Sequence, residues 1–271
     1  MKENETLVGS ARKALFFDID GTLVSFRTHE IPPSAIAALT QAKASGARIY
    51  IATGRPHCII NNLAPIEHLI DGYITTNGAM CSVGETVIRT AAIPQHEVET
   101  LLQDARRRGY SSLVIGERRI AVQDNAGTVK SVFCNELGVH NLDFSLSVGE
   151  LMESEQVMQV TAFFTAEHDE VLQRQMPGSV FARWHPAFTD INSREADKGK
   201  GLLAVAAHEG IELADTFAFG DGGNDVAILR QAGNGIAMGN AGDDVKAAAD
   251  YVATSVDEDG ILNALKHYNI I

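Results

Sequence analysis

The sequence predicts an α/β fold: a doubly wound core on a parallel sheet, interrupted by an inserted α+β module. Three observations carry this expectation. The first strands read as continuous apolar runs rather than alternating ones, which suits a sheet covered on both faces. Strand and helix patterns alternate at the two ends of the chain. Between them, strand patterns follow one another with helices interspersed and no fixed βα rhythm.

Taken in order, KALFF (13–17) reads as a buried strand, and PPSAIAALTQAKASG (32–46) as a helix with prolines at its start and glycine at its end. ARIYIATGR (47–55) is a second buried strand, followed by a short helical stretch and GYITTNGA (72–79). CSVGETVIRTAAI (81–93) reads as a hairpin around Gly84 and Glu85, and PQHEVETLLQDARRRG (94–109) as a helix with a basic last turn. Strand patterns follow at 112–115, 119–123, 157–165 and 179–185, with helices near 129–137 and 167–176. The alternation returns from about Phe188: a helix at 196–210 that Asp197 can cap, then TFAFG (216–220), NDVAILRQAG, GIAMG, AGDDVKAAAD, YVAT and a terminal helix. The expected division is therefore 1–82 plus 186–271 for the core and 83–185 for the insertion.

Composition narrows the function. The 271 residues are 45% hydrophobic and 21% charged, a profile of globular proteins. A net charge of −13 disfavours nucleic acid and anionic membrane surfaces as partners, and no apolar run is long enough to span a bilayer. Cys58, Cys81 and Cys134 are scattered, which reads as reduced thiols in a cytoplasmic protein, and Arg12 and Lys13 interrupt the one apolar stretch that could suggest a signal peptide.

In an open parallel sheet the ligand lies outside the carboxyl ends of the strands. Asp18 and Asp20 follow the first strand, Thr53, Gly54 and Arg55 the second, Asn77 the third, and Asp221 the strand TFAFG. A strand ending in Asp-Gly is ordinarily a turn. A second acidic strand end, with Asp221 and Asp225, weakens that reading, because two converging acidic clusters need positive charge between them. Hard carboxylate oxygens with no His or Cys nearby in sequence point to magnesium, which keeps open positions for a phosphate. Thr53 offers a hydroxyl and Gly54 an unobstructed N–H, and Lys198 can add a cation. The plain alternative for Lys198 is a solvated residue of a helix's first turn, where a cation opposes the helix dipole, and Lys200 is its rival.

DIDGT (18–22), TGR (53–55), DKGKGL (197–202) and GDGGND (220–225) stand in the order of four motifs of the haloacid dehalogenase (HAD) superfamily, which this sequence resembles over nearly its whole length. TTNGA (75–79), IAMGNA (236–241), AADYV (248–252) and EDGI (258–261) are similar to the Cof-type sugar-phosphate phosphatases of that superfamily. The resemblance implies a Rossmann-like core with a large α/β cap between the second and third motifs. It also implies roles. Asp18 is the nucleophile that takes the phosphoryl group, and Asp20 the acid–base residue. Thr53, Gly54, Lys198 and Asn224 hold phosphate. The metal, Mg2+, is held by Asp18, the Asp20 carbonyl and Asp221, with Asp225 a ligand or a neighbour of one. The substrate implied is a small phosphorylated metabolite, a hexose phosphate above all.

Arg55 and Asn77 on the core rim and Arg183 at the end of the insertion are the candidates for substrate contact. Trp184 is the only tryptophan, and core packing is the favoured reading of it. Asp190 and Asn192 can bind sugar hydroxyls or make a turn. A phosphotransferase or mutase would use the same aspartate chemistry. The intact set of acids and Lys198 argues against a non-catalytic binding module, and no G-x-G-x-x-G follows the first strand as a dinucleotide site would require.

Overall fold

The structure, a computed structural model, describes residues 12–124, 126–136, 139 and 145–271. Residues 1–11, read above for a leader, and residue 137, at the end of an expected helix, lie outside the described residues.

The core is an eight-stranded sheet. Its central strand β1 (Ala14–Phe17) is flanked on one side by β2 (Arg48–Ala52), β3 (Gly72–Thr75), β4 (Met80–Val83) and β5 (Thr86–Thr90). The later strands β11 (Thr216–Gly220), β12 (Asn234–Ala237) and β13 (Tyr251–Val252) lie on the other side of β1. The six strands from β13 through β1 to β3 are parallel, and β4 and β5 are added antiparallel. Helices cover both faces. Leu15 and Phe17 pack with α1 (Pro33–Ala44) and α9 (Gly260–His267). Ala14 and Phe16 face the opposite layer of α6 (Lys198–Glu209), α7 (Val226–Gln231) and α8 (Asp243–Lys246). Burial on both faces is why these strands read as unbroken apolar runs. Chain order reverses between β1 and β11, so the crevice beyond their carboxyl ends is the switch point where α/β sheets bind ligands.

The insertion is a five-stranded antiparallel sheet in the order β7 (Ile120–Gln123), β6 (Ser112–Ile115), β8 (Gln159–Ala162), β10 (Phe188–Ser193) and β9 (Ser179–His185). One face packs on α2 (Gln95–Arg108), α4 (Val148–Ser154) and α5 (Asp169–Gln173). The other face, with Leu113, Phe163 and Phe188, packs with Phe133 and with Ile59 of the core. The helix expected near 129–137 starts earlier, as α3 (Ala126–Val129), and continues with π-type bonding over Lys130–Glu136.

Two boundaries move. The hairpin β4–β5 pairs onto β3 and belongs to the core sheet, so the chain crosses to the smaller sheet after Thr90 rather than at residue 83. The segment from Phe188, read as the return of the βα rhythm, is β10 of the smaller sheet, so the chain leaves that sheet after Ser193 rather than at 185. Local patterns of hydrophobicity do not record which sheet a hairpin pairs with, because the ladder bonds are made by backbone. Trp184 also departs from expectation: it is 60% exposed rather than packed in a core.

Asp104 on α2 ties the smaller module together. Burial disfavours its charge, but bonds from His168, Arg107, Arg108 and Tyr110 outweigh that and hold its carboxyl at about 2, below its ordinary 3.8. A carboxyl depressed in the folded state adds stability above its unfolded value and loses it as pH falls through its folded value. Asp104→Asn is expected to lower unfolding free energy by about 1–3 kcal/mol at neutral pH. In urea titrations the difference from the native chain should be constant down to about pH 5 and shrink as pH falls from 3.8 toward 2.

Candidate active site

The first strand ends by driving two acids into the switch-point crevice. The Asp18 N–H still belongs to the sheet, donating to the Phe219 carbonyl at 3.0 Å. The chain then turns tightly, with the amides of Leu23 and Val24 both donating to the Ile19 carbonyl. Gly21 sits in this turn with φ +83°, and a Cβ there would lie 2.2 Å from Asp221 Oδ2, so only glycine lets the turn pass under the second acidic strand end. Asp18 is buried and Asp20 half-buried, and they take different partners.

Lys198 Nζ lies between two carboxylates, donating to Asp18 Oδ1 at 2.7 Å and to Asp225 Oδ1 at 2.6 Å. Its side chain has no exposure. Burial opposes its charge, but Asp18 and Asp225 more than offset this and raise its pKa above the ordinary lysine value. This agrees with the motif order, which favours Lys198 over Lys200; Lys200 pairs with Glu195 on the surface. The helix that delivers Lys198 starts at Asp197, whose carboxylate accepts from the Lys200 N–H at 2.8 Å, as its sequence position suggested.

Asp225 is fixed from the other side, where Oδ2 accepts from the backbone N–H groups of Asp221 and Gly222 at 3.0 and 2.9 Å. Asp221 accepts from Thr22 Oγ1 at 3.0 Å and from Asn240 Nδ2 at 3.2 Å. Asp18, Asp221 and Asp225 each bring an oxygen within 4.8 Å of the others. One ammonium does not balance three carboxylates. Burial and Asp225 push the Asp18 carboxyl up to about 8 despite Lys198, and burial with Asp225 pushes Asp221 up to about 6. An all-oxygen set that resists ionising for want of a second cation fits a divalent metal.

Around this cluster the other strand ends form a polar wall. Thr53 is buried, and its Oγ1 accepts from the Arg55 N–H at 3.1 Å. Asn77 sits in a left-handed conformation (φ 54°) just after β3, and its Oδ1 accepts from Asn224 Nδ2 at 3.0 Å. A Cβ at Gly54 would come within 3.1 Å of that Asn77 oxygen, so Gly54, Asn77 and Asn224 form one patch. Arg55 reaches across to Asp20, with Nε to Oδ2 at 2.7 Å and Nη2 to Oδ1 at 2.6 Å. Arg183 is not brought to the crevice by any of its bonds. Its guanidinium donates to Asp169 and to the Phe188 carbonyl and lies over the Phe164 ring, within the smaller module.

Asn240 and Thr22 received no role from the sequence. Asn240 also donates to the Gly21 carbonyl at 2.8 Å, so one amide ties the two acidic loops together. It follows the carboxyl end of β12, and the strand-end rule that singled out Asp221 applies to it as well.

Residues 15–265 match the sequence profile of the haloacid dehalogenase-like hydrolases, and the chain belongs to that family. The sugar phosphatase BT4131, a solved structure of HAD subclass IIB, is 48% identical with a TM-score of 0.85, covering 96% of this chain and 100% of that one. BT1666 from Bacteroides thetaiotaomicron, solved in a study of phosphatases of the same superfamily, is 33% identical with a TM-score of 0.84 over 98% of this chain and 100% of its own. Pyridoxal phosphate phosphatase YbhA of Escherichia coli K12 is 28% identical over 92% of this chain and 96% of its own. The protein is thus a phosphatase of the HAD superfamily acting on phosphorylated metabolites, with the Rossmann-like core and cap of the Cof-type enzymes.

Gly21→Ala is expected to abolish or nearly abolish phosphate release, because the added methyl displaces Asp221. The left-handed backbone adds strain of about 1–2 kcal/mol, so the thermal midpoint should fall by a few degrees with the fold retained in circular dichroism.

Proposed function

We propose that this chain is a magnesium-dependent phosphomonoesterase for small phosphorylated metabolites, sugar phosphates in particular, working through an aspartyl-phosphate on Asp18. The observation that carries the reading is Lys198 buried between Asp18 and Asp225, two of the three clustered carboxylates, at the switch point of the sheet. Lys198 favours the ionised, attacking form of Asp18 but does not by itself outweigh burial and Asp225, and a bound metal would supply the remaining positive charge.

A carboxylate oxygen of Asp18 attacks phosphorus in line with the ester oxygen, and the P–O bond to the alcohol breaks as the Asp18–phosphorus bond forms. Phosphoryl transfer demands positioning and charge neutralisation more than covalent chemistry. Lys198 supplies fixed positive charge, and Thr53, the Gly54 N–H and Asn224 are assigned to the phosphoryl oxygens. Magnesium, held by Asp18, Asp221, Asp225 and the Asp20 carbonyl, would add further positive charge to the phosphoryl oxygens. Released from Arg55, Asp20 takes up a proton from solvent and passes it to the leaving alkoxide as the P–O bond breaks. Asp20 then removes a proton from water, which attacks phosphorus, releases phosphate and restores Asp18. Arg55 holds both oxygens of Asp20, so that ion pair opens before Asp20 meets the leaving group.

The smaller module is read as a cap that closes over the crevice and excludes water during the first transfer. The acidic net charge disfavours nucleic acid as substrate. Three cysteines outside any disulfide favour a cytoplasmic setting, and among the described residues no helix is long and apolar enough to cross a membrane.

Phosphate release from p-nitrophenyl phosphate and a panel of sugar phosphates tests the reading directly. Chelation of divalent metal should stop release and leave the circular dichroism spectrum unchanged; metal-independent turnover would count against the metal assignment. Asp18→Asn should remove turnover of every substrate. Asp20→Asn should slow alkyl phosphates by about 10²–10⁴-fold. It should spare phosphorylation of Asp18 by p-nitrophenyl phosphate, whose leaving group needs no proton, and trap a phosphoprotein visible by mass spectrometry.

A further inference from the structure

The hairpin β9–β10 carries a feature that the phosphoryl chemistry leaves unused. Phe188 pairs across the hairpin with His185, but Asp190 pairs with Ala182, so β9 holds one residue more than β10 over this stretch. A bulge of this kind re-aims side chains. Arg183 keeps to the helix-covered face, with Asp169 and Phe164. Trp184 and His185, although consecutive, both lie against the Phe188 ring with centroids 4.8 Å away. Phe188 belongs to the cluster that includes Ile59, four residues beyond Arg55 in the loop leaving β2. This face of the sheet is therefore turned toward the core's ligand-binding loops.

A line of hydrogen bonds crosses that face. Asn192 Nδ2 donates to Gln159 Oε1 at 3.2 Å, Gln159 Nε2 to Thr161 Oγ1 at 3.3 Å, and Thr161 Oγ1 to Asp190 Oδ1 at 2.5 Å. Trp184 Nε1 donates to the other oxygen of Asp190 at 2.7 Å. The inner members are buried, Asp190 is half-buried, and the indole at the outer end is exposed. Burial raises the Asp190 carboxyl above the usual carboxylate range, and its hydrogen-bond partners are neutral groups. Each oxygen of a carboxylate has room for about two acceptor contacts, so both can take another donor. An oriented acceptor beside an exposed aromatic plane suits a molecule with one C–H face and hydroxyl groups at its edge.

We propose that Trp184 and Asp190 form the seat for the leaving alcohol, a sugar or polyol. The indole covers its C–H face, and Asp190 accepts a hydrogen bond from one of its hydroxyls. This rests on the phosphatase reading above and deepens it by naming the residues that read the substrate. The Trp184 N–H and the Thr161 hydroxyl fix the Asp190 carboxylate, so that recognition starts from an ordered acceptor.

Trp184 is the only tryptophan, so its fluorescence reports on the seat alone. The Asp18→Asn chain, which leaves substrate intact, is titrated with glucose 6-phosphate, ribose 5-phosphate, sorbitol 6-phosphate and inorganic phosphate. A saturable emission change with at least one sugar or polyol phosphate, and none with inorganic phosphate, is expected. No change with any of the three, or an equal change with inorganic phosphate, overturns the proposal. In the otherwise native chain, Trp184→Ala should lower kcat/KM for the responding phosphate about 10-fold or more and leave acetyl phosphate hydrolysis within about twofold. An equal loss on both substrates overturns the proposal in favour of a structural role. An emission response without phosphate release by the native chain keeps the seat and rejects the phosphatase reading. Release without a response does the reverse.

Discussion

The ammonium of Lys198 between Asp18 and Asp225 is the contact on which the architecture of the crevice depends. Three carboxylates within 4.8 Å of one another, in a place with little water, repel strongly. A buried cation with two direct partners lets them stay close. Breaking such a pair typically costs about 3–5 kcal/mol, because it strands the remaining charges. The lysine sits in the first turn of α6, where the helix dipole disfavours it. That position is tolerated because the two carboxylates outweigh the dipole, and because the helix start packs directly against its neighbours. Cβ atoms at Gly199 and Gly201 would come within 2.8 Å of the Ala227 carbonyl and 2.6 Å of Ile74. The two glycines that flank Lys200 thus set the depth at which Lys198 enters the crevice.

The sheet supplies the rest of the constraint. Parallel pairing of β1 with both β2 and β11 brings Asp18, Thr53 and Asp221 to one edge from positions far apart in the chain. Asn77 and Asn240, from the ends of β3 and β12, extend the same rim. The close approach of the first acidic loop to the second relies on the left-handed Gly21, and the amide of Asn240 bridges the two. The smaller sheet has a separate core and meets this rim through the face that carries Phe188. Rigid machinery for the phosphoryl group and a separate surface for the rest of the substrate is an arrangement in which one can vary without disturbing the other.

The parts legible in the sequence were those governed by local pattern. The unbroken apolar runs at 14–17 and 48–52 announced strands buried on both faces, and the strand-end rule picked out Asp18, Asp20, Thr53 and Asp221 before any contact was known. The parts misread were those where pairing between distant segments decides. The strands at 86–90 and 188–193 each joined the sheet opposite to the one assigned, because both are short, regular strands whose partners are chosen by backbone geometry. Trp184 read as a core residue from its size, but it lies exposed on the sheet face of Ala182 and Asp190, edge-on to Phe188, and no local composition signals which face of the strand is covered. Arg183 and Arg55 looked alike as candidates for the substrate. Arg183 is spent on Asp169, and Arg55 holds Asp20.

By itself the sequence determined the fold class, the kind of chemistry and the acids that surround it. The fold class and the acids follow from residue type and from position relative to strand ends, both of which are local, and the kind of chemistry from the motifs' resemblance to the haloacid dehalogenases. The motif order already favoured Lys198 over Lys200; only the tertiary structure decided that Lys198 lies between Asp18 and Asp225, that Asp20 is held by Arg55, and that Phe188, beside Trp184, shares a cluster with Ile59 of the core. Each of those depends on the distance between groups tens to hundreds of residues apart. Charge pairing and desolvation vary steeply with that distance, and the chain acquires it only when the sheets assemble.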